Sequence, residues 1–195
     1  MKAVKRGGAD GFSPGSCTES TLIRKAESGS KEAFEVLMKG LMDIIYSYIS
    51  SHVDTAEDIK DILQETMLSV WNGLKSFDSR SSFKTWVIGI TRRRIADHYR
   101  KRYRDAADRL SEFEDILSSE DDYERINNRN DIKAALAVLD KTEREIVFLA
   151  FNVQLTYSEI SEIMGIPAGT VKSRMSAIKA KLRKQLDKEG GYGRV

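Results

Sequence analysis

Apolar residues recur at three- and four-residue spacing along most of the chain, and period-two alternation is scarce. Such spacing places apolar side chains on one face of an α-helix. The two prolines, Pro14 and Pro167, leave more than 150 residues between them without a residue that interrupts a helix. Glycines cluster at the two ends, which predicts mobile tails over residues 1–18 and 189–195. The pattern predicts an all-α fold of two small helical domains.

Capping residues predict where several helices begin. A serine, threonine or aspartate before an apolar run accepts hydrogen bonds from the first backbone N–H groups, and a glutamate three residues later can reach back. These signals occur at Ser30, at Asp54 with Glu57, at Thr142 with Glu145, and at Thr156 with Glu159. They are ordinary helix starts and indicate no function by themselves.

The segment from Thr156 to Lys179 has the pattern of a helix-turn-helix. A short amphipathic helix is predicted to end at Gly165, which can adopt the left-handed conformation of a sharp turn. Pro167 then favours the start of a second helix. That helix carries an apolar stripe of Val171, Met175, Ile178, Leu182 and Leu186. Its opposite face presents Lys172, Ser173, Ser176, Lys179, Ala180 and Arg183.

A basic helix after such a turn suits the major groove of DNA. Its leading turns reach base edges, while flanking lysines and arginines contact phosphates. The alternative is a helical hairpin with a solvated basic face, which is what most basic amphipathic helices are. The Gly-Ile-Pro turn at residues 165–167, placed between two apolar stripes, favours DNA binding.

The near-neutral net charge of +2 hides three charged blocks. Residues 92–104 carry seven basic residues and one acid, residues 110–131 carry eight acids and two arginines, and residues 170–188 carry seven basic residues and one acid. Two basic blocks therefore flank an acidic one, which indicates an anionic partner for each basic block. The acidic stretch predicts a linker over residues 107–131, between helical domains at 19–106 and 132–188.

The first domain combines an acceptor-rich helix, a small polar loop and a basic helix. The helix contains Asp61-Ile62-Leu63-Gln64-Glu65, and the loop Ser76-Phe77-Asp78-Ser79-Arg80-Ser81-Ser82 precedes the basic block at residues 92–104. Such a loop can hydrogen-bond an unstacked base if cations support the backbone beside it. For Trp71 and Trp86, core packing is favoured over base stacking.

Composition excludes several other classes. The longest apolar run has six residues, 146–151, far short of a membrane span, and no secretory signal is present. One cysteine, Cys17, and two histidines, His52 and His98, give no support for a disulfide, a metal site or a cofactor. An idle thiol is favoured over a redox sensor at Cys17. We expect a cytoplasmic protein without direct membrane insertion.

The segment at residues 61–86 and the helix-turn-helix, in this order, resemble the extracytoplasmic-function (ECF) group of bacterial sigma factors. The stretch 61–65 with Trp71 resembles the polymerase-binding helix of sigma domain two. Residues 80–86 resemble the stretch after its promoter-reading loop, and residues 139–186 resemble sigma domain four. The resemblance covers roughly residues 19–188 and implies a factor, not an enzyme, that directs core RNA polymerase to promoters and helps to open the DNA.

The resemblance also implies roles for particular residues. Contacts to the coiled coil of the largest polymerase subunit are implied for Asp61, Ile62, Gln64, Glu65 and Leu68. Contacts to the minus-ten element are implied for Ser76, Phe77, Asp78, Ser79, Arg80, Ser81, Ser82, Arg92, Arg93, Arg100 and Lys101. Contacts to the minus-thirty-five element are implied for Thr170, Lys172, Ser173, Arg174, Ser176 and Lys179.

Further partners are implied in the same way: the flap of the second-largest polymerase subunit, and an anti-sigma factor. The acidic linker is implied to thread the channel through which nascent RNA later passes. The sequence departs from the group at Ala177, where members often have an arginine, and Ile178 is expected to point inward. Specificity is therefore expected from the first turn of the recognition helix, or from DNA shape and phosphate positioning.

Two other function classes compete with this interpretation. A helix-turn-helix regulator acting without core polymerase explains the second domain but leaves the helix at 61–65 and the basic aromatic helix unexplained. A nuclease or hydrolase requires clustered carboxylates, or a nucleophile with a base. The acids here are spread over helix faces and the linker.

Overall fold

The computed structural model describes residues 18–110 and 136–189, and every regular element in these residues is helical. The expectation of an all-α protein is thereby confirmed. The predicted amino-terminal extension with Cys17, most of the acidic linker and the carboxy-terminal tail lie outside the described residues. The helix that begins at Phe83 continues through Leu110, past the predicted domain end at residue 106, and the helix that begins at Ala168 continues through Glu189, past the predicted domain end at residue 188.

The chain forms two compact units, residues 1–40 and residues 41–195. In the first unit, α1 (Glu19–Glu27) and α2 (Lys31–Lys39) pack as a helical hairpin. The described part of the second unit contains α3 (Met42–Ser50), α4 (Ala56–Gly73), a short 3₁₀ turn (Leu74–Ser76), α5 (Phe83–Leu110), α6 (Lys141–Phe151), α7 (Tyr157–Met164) and α8 (Ala168–Glu189).

The hairpin of the first unit has the start predicted for α2. The Ser30 side chain accepts a hydrogen bond from the Ala33 N–H, and the apolar residues after it are buried. Gly29 precedes this cap with φ of 98°, a left-handed conformation that suits glycine. Buried side chains of the hairpin are Ile23, Ala26, Ala33, Phe34, Leu37 and Met38.

In the amino-terminal part of the second unit, α4 packs against both α3 and α5. The buried stripe of α4 is Ile59, Ile62, Thr66 and Val70, at the spacing of one helix face. The aromatic and apolar residues Phe83, Val87 and Ile90 of α5 are also buried, as their spacing predicts. These three helices fix the direction in which the opposite, polar face of α4 points.

In the carboxy-terminal part, α7 and α8 form the predicted helix-turn-helix. The Thr156 cap and Glu159 make a reciprocal capping box at the start of α7. Gly165 ends α7 with φ of 67°, and the Ser161 hydroxyl donates to the Ile166 carbonyl across the turn at 2.6 Å. The Pro167 carbonyl accepts the first backbone bonds of α8. The helices pack through Ile160, Val171, Met175 and Ile178, all buried.

Two of the predicted helix starts are wrong. The cap of α4 is Thr55, whose side chain accepts from the Asp58 N–H, and Asp54 lies one residue too early. The cap of α6 is Asp140 with Glu143, not Thr142 with Glu145. Two overlapping capping patterns occur at this start, and the earlier one forms; its glutamate also pairs with Lys181 of α8 at 2.7 Å. Glu145 is thereby left for another contact.

The turn at Gly165 provides a test of the helix-turn-helix geometry. We expect Gly165→Ala to lower the free energy of unfolding by about 1 kcal/mol, because an L residue is strained at this φ. Gly169→Ala, four residues later inside α8 and with open space at its Cβ, should raise it by about 0.5 kcal/mol. Urea unfolding of both variants measures the difference. Equal effects of the two substitutions would contradict the turn geometry.

Candidate polymerase and promoter interfaces

The exposed face of α4 carries the acceptors predicted to bind polymerase. Asp61, Gln64, Glu65 and Leu68 recur at helical spacing and are all exposed. Leu68 is 55% exposed and adds an apolar side chain to this polar face. Ile62 points the other way and is 1% exposed, so it belongs to the core beneath this face.

The loop before α5 has a defined shape and presents polar groups. The Asp78 carboxylate accepts from the Arg80 N–H at 3.2 Å and pairs with the Arg80 guanidinium at 2.8 Å. Ser79 between them has φ of 57°, a left-handed conformation that is uncommon for serine. Asp78, Ser79 and Arg80 are exposed, and so is Ser76 at the end of the 3₁₀ turn. Ser81 is half-buried.

One residue of this loop anchors it to the core. The Phe77 ring lies 5.1 Å from the Trp86 ring and 5.7 Å from the Phe83 ring, between ring centroids. Trp86 in turn packs beside Gly73, where an added Cβ would come within 3.3 Å of the indole. The prediction that Trp86 serves packing agrees with its place in this aromatic cluster of Phe77, Phe83 and Trp86. Phe77 thus attaches the loop to α5 and is not one of the exposed groups of the loop.

The basic helix α5 continues from the loop with cations on its surface. Arg93, Arg100, Lys101, Arg102 and Arg104 are exposed. Some of these charges are balanced within the helix, since Asp97 pairs with both Arg94 and Arg100. Arg93 and Lys101 form no ion pair with a described carboxylate, so their charges are available to an anionic partner.

The second basic surface is the outer face of α8. Lys172, Ser173, Arg174, Ser176 and Lys179 are exposed, whereas Thr170 is half-buried. The Ser173 hydroxyl donates to the Thr170 carbonyl at 3.0 Å, which leaves its oxygen free to accept. Ala177 is exposed and Ile178 is buried, as predicted. The second turn of this face therefore presents serine, alanine and lysine.

A carboxylate of α6 joins two helices of the amino-terminal part. Glu145 Oε1 accepts from the Tyr48 hydroxyl at 2.7 Å and from Arg92 Nε at 2.8 Å. The Glu145 side chain is 13% exposed and Tyr48 is fully buried. Burial and then the Glu145 charge raise the pKa of Tyr48, so its hydroxyl remains a donor. Burial by itself would lower the pKa of Arg92, but Glu145 raises it overall.

A second carboxylate, on α7, reaches the start of α5. Glu159 Oε1 accepts from the Thr85 hydroxyl at 2.6 Å and from the Ser82 hydroxyl at 3.1 Å. Burial raises the pKa of Glu159, but the bonds from Thr85, Thr156 and Ser82 outweigh it and hold the pKa below its usual value. Nearby, Lys84 Nζ donates to the Val153 carbonyl at 2.9 Å.

Sequence reasoning missed these contacts between the two halves of the second unit. It assigned both Glu145 and Glu159 to capping boxes, and only Glu159 forms one. Their partners lie 53 to 97 residues away in the chain for Glu145, and 74 and 77 residues away for Glu159. A sequence pattern within one helix cannot predict a hydrogen bond between residues so far apart in the chain.

The described residues hold no cluster of three or more histidine, cysteine, aspartate or glutamate side chains suited to a metal ion. Within those same residues, none of the helices combines the length and the apolar character needed to span a bilayer.

The exposed acidic helix, the anchored loop with its basic helix, and the helix-turn-helix together define a transcription initiation factor of the sigma class. The chain matches Sigma-70 region 2 over residues 37–105 and Sigma-70, region 4 over residues 129–182. It is 30% identical over 162 residues to the ECF RNA polymerase sigma factor RpoE of Cereibacter sphaeroides, covering 79% of this chain and 86% of that protein. The chain belongs to the ECF RNA polymerase sigma factors.

A second curated relative agrees with this membership, and a solved structure shares the fold. The ECF RNA polymerase sigma factor SigW of Bacillus subtilis is 28% identical over 176 residues, which cover 84% of this chain and 94% of that protein. A crystal structure of the sigma factor RpoE with the anti-sigma factor NepR from Bartonella quintana has the same fold. It superposes with a TM-score of 0.58 at 24% identity, over 78% of this chain and 98% of that one.

Proposed function

We propose that this ECF sigma factor divides polymerase binding and promoter recognition among three exposed surfaces. The α4 face of Asp61, Gln64, Glu65 and Leu68 binds the coiled coil of the largest polymerase subunit. The observation that carries this assignment is the alignment of three acceptors and a 55% exposed leucine on one helix face. Carboxylate and amide oxygens match arginine donors in geometry and charge.

The loop and the basic helix form the second surface, which reads the minus-ten element. Asp78, Ser79, Arg80 and Ser81 offer donors and acceptors to the edge of an unstacked base, and Phe77 fixes the loop on the core. Arg92, Arg93, Arg100 and Lys101 are suited to the backbone of the melted strand. Extruding a base costs a few kcal/mol, which contacts from the loop to the base edge and from the cationic helix to the backbone would offset.

The third surface is the outer face of α8, which enters the major groove of the minus-thirty-five element. Lys172 and Lys179 reach phosphates, while Ser173 and Ser176 face base edges, with Thr170 and Arg174 beside them. Because Ala177 lacks a polar group, specificity depends on the first turn and on DNA shape. The segment that matches region 4 also docks on the flap of the second-largest polymerase subunit. Polymerase thereby holds the second and third surfaces at the distance that separates the two promoter elements.

The proposed mechanism contains no chemical step catalysed by this chain, since bond formation belongs to core polymerase. The chain works in the cytoplasm with that enzyme. The RpoE of Bartonella quintana, which has the same fold, forms a complex with an anti-sigma factor, and we propose a partner of the same class here.

Reconstitution with core polymerase tests this proposal. Purified chain should co-elute with the core enzyme, and run-off transcription from a promoter library should depend on adding it. A helix-turn-helix regulator that works alone would instead bind duplex DNA and ignore the enzyme. Transcription that is equal with and without the chain, across the library, would contradict the proposal.

Lys172→Ala tests the recognition helix. We expect it to weaken binding of the holoenzyme to every promoter and to reduce the log–log salt slope by about 0.9, since one phosphate contact is lost. Ser173→Ala, the neighbouring exposed position, should change sequence preference and leave the slope unchanged. Binding titrations between low and moderate salt measure both quantities. The same slope change for both variants would contradict the assignment of the outer face of α8 to DNA binding.

A further inference from the structure

Three donor side chains converge on one carboxylate oxygen at the start of α4. Asp58 Oδ2 accepts a hydrogen bond from the Thr55 hydroxyl at 2.7 Å. The same oxygen lies 3.8 Å from His98 Nε2 and 3.9 Å from an Arg102 guanidinium nitrogen. His98 and Arg102 are one turn apart on α5. The surfaces proposed above for polymerase and promoter DNA include none of these four residues.

The three donors differ in their freedom to leave Asp58. Thr55 is tied to the helix start, because its oxygen also accepts from the Asp58 N–H at 3.1 Å. The His98 side chain is 14% exposed, and its Nε2 is buried without a hydrogen-bond partner among the described residues. The Arg102 side chain is 63% exposed. Arg102 is therefore the donor that can exchange Asp58 for another anion.

Other polar groups surround His98 without binding its Nε2. The Tyr99 ring lies 5.8 Å from the His98 ring, between centroids, and the Tyr99 hydroxyl donates to the His52 carbonyl in the turn after α3. Burial, and next the charge of Asp54, raise the pKa of Tyr99, so its hydroxyl stays a neutral donor. The titratable and charged groups around His98 are Asp54 and Asp58 from the start of α4, His52 from the turn after α3, and Arg94, Tyr99 and Arg102 from α5 itself.

Among these groups, Asp58 supplies the negative charge that pairs with His98. On α5, Arg94 is one turn before His98 and pairs with Asp97 at 3.1 Å. The carboxylates of α6 and α7 that bind α5 do so at Arg92 and at earlier residues. The balance of charge around Arg102 therefore depends on Asp58 and His98.

The charge on His98 determines how strongly Asp58 holds Arg102. Histidine is the side chain whose charge ordinarily changes between about pH 5 and pH 8. When His98 is neutral, the Asp58 carboxylate attracts the Arg102 guanidinium across 3.9 Å. When His98 is protonated, its charge offsets that of Asp58 and repels Arg102 one helical turn away. Because an exposed ion pair is weak, this change is enough to free Arg102 for a phosphate.

We infer that Arg102 is a further DNA-binding residue of α5, and that protonation of His98 releases it from Asp58 to the phosphate backbone of the promoter. The inference rests on the proposed function of α5 beside the minus-ten element. Arg102 directly follows Arg100 and Lys101, which are proposed to contact the same backbone. The holoenzyme therefore gains a phosphate contact as the pH falls through the titration of His98, and loses it as the pH rises.

Binding of a promoter fragment by the reconstituted holoenzyme at fixed salt, at about pH 8 and about pH 5.5, tests the inference. Polymerase itself responds to pH, so each affinity is read relative to that of Arg102→Gln at the same pH. We expect the parent to equal Arg102→Gln at the higher pH and to bind about fivefold tighter at the lower one, the effect of one phosphate contact. A ratio that does not change with pH would overturn the inference.

Two variants separate the roles of His98 and Asp58. His98→Gln cannot acquire the charge, so we expect it to equal Arg102→Gln at both pH values. Asp58→Asn no longer holds Arg102, so it should bind about fivefold tighter than Arg102→Gln at both. A His98→Gln holoenzyme that keeps the pH-dependent ratio of the parent would contradict the role of His98.

The matched control is Glu57→Gln, which removes the same charge from the neighbouring exposed position of α4. We expect it to keep the pH-dependent ratio of the parent. The behaviour of Asp58→Asn in Glu57→Gln as well would assign the effect to net charge and overturn the inference.

Nuclear magnetic resonance of the full chain tests the same coupling without a substitution in the cluster. We expect the Arg102 Nε–H signal to shift with the midpoint pH at which the His98 ring titrates, while the His52 ring serves as the internal reference. An Arg102 signal that stays constant through the titration of His98 would overturn the inference. Run-off transcription at about pH 8, where Arg102 is expected to make no contribution, reports the sigma function separately.

Discussion

Glu65→Lys is expected to lower the affinity for core polymerase by about thirtyfold to a thousandfold, while the fold remains intact. The substitution replaces an acceptor with a cation opposite arginine donors, and like charges at an interface cost several kcal/mol. Glu65 is exposed on α4, so the new side chain disturbs no packed contact. Competition binding against the unmodified chain on immobilised core enzyme measures the change.

The control for this prediction is Glu35→Lys, the same charge reversal at an exposed position of α2 in the first unit. We expect its polymerase affinity to stay within about threefold of the parent, because this substitution changes only the net charge of the chain. A parental affinity in Glu65→Lys would remove the α4 face from the polymerase interface. An equally large loss in both variants would assign the effect to net charge.

Phe83→Ala is expected to lower the free energy of unfolding by about 3–5 kcal/mol and to abolish promoter opening. Truncating a buried phenylalanine loses transfer energy and leaves a cavity. Phe83 is 2% exposed and its ring packs on those of Phe77 and Trp86, so the loop at residues 77–82 loses its anchor. Urea unfolding gives the stability, and a fluorescent base analogue in the minus-ten element reports opening.

Phe83→Leu separates loss of stability from loss of the loop. It retains much of the apolar volume, so we expect a cost of about 1.5 kcal/mol or less. The folded variant lacks one ring of the aromatic cluster, and opening should be slowed but not abolished. Normal opening by folded Phe83→Ala, measured below its unfolding transition, would show that the loop does not depend on this anchor.

The helix-turn-helix was predictable from sequence because its signals are local. A left-handed residue, a proline and two apolar stripes specify α7, the turn at Gly165 and α8 within about thirty residues. The exposed acceptors of α4 were predictable for the same reason, since Ile59, Ile62, Thr66 and Val70 fix which face is buried. The family match then agreed with both segments.

The helix starts at α4 and α6 show where local signals become ambiguous. Asp54 and Thr55 are adjacent residues that can both cap, and Asp140 and Thr142 each have a glutamate three residues on. Because aspartate and threonine are both favoured at the N-cap, the local pattern does not choose between them. At α6 the pair of Glu143 with Lys181 favours the earlier start.

By itself, the sequence determined the helices, the helix-turn-helix and the polar faces, because each depends on side chains within a few turns of one another. The tertiary structure decided that Phe77 is an anchor and that Glu145 and Glu159 hold groups of α3 and α5. Partners 53 to 97 residues apart meet only when helices pack, and their pairing depends on complementary positions that no periodicity encodes.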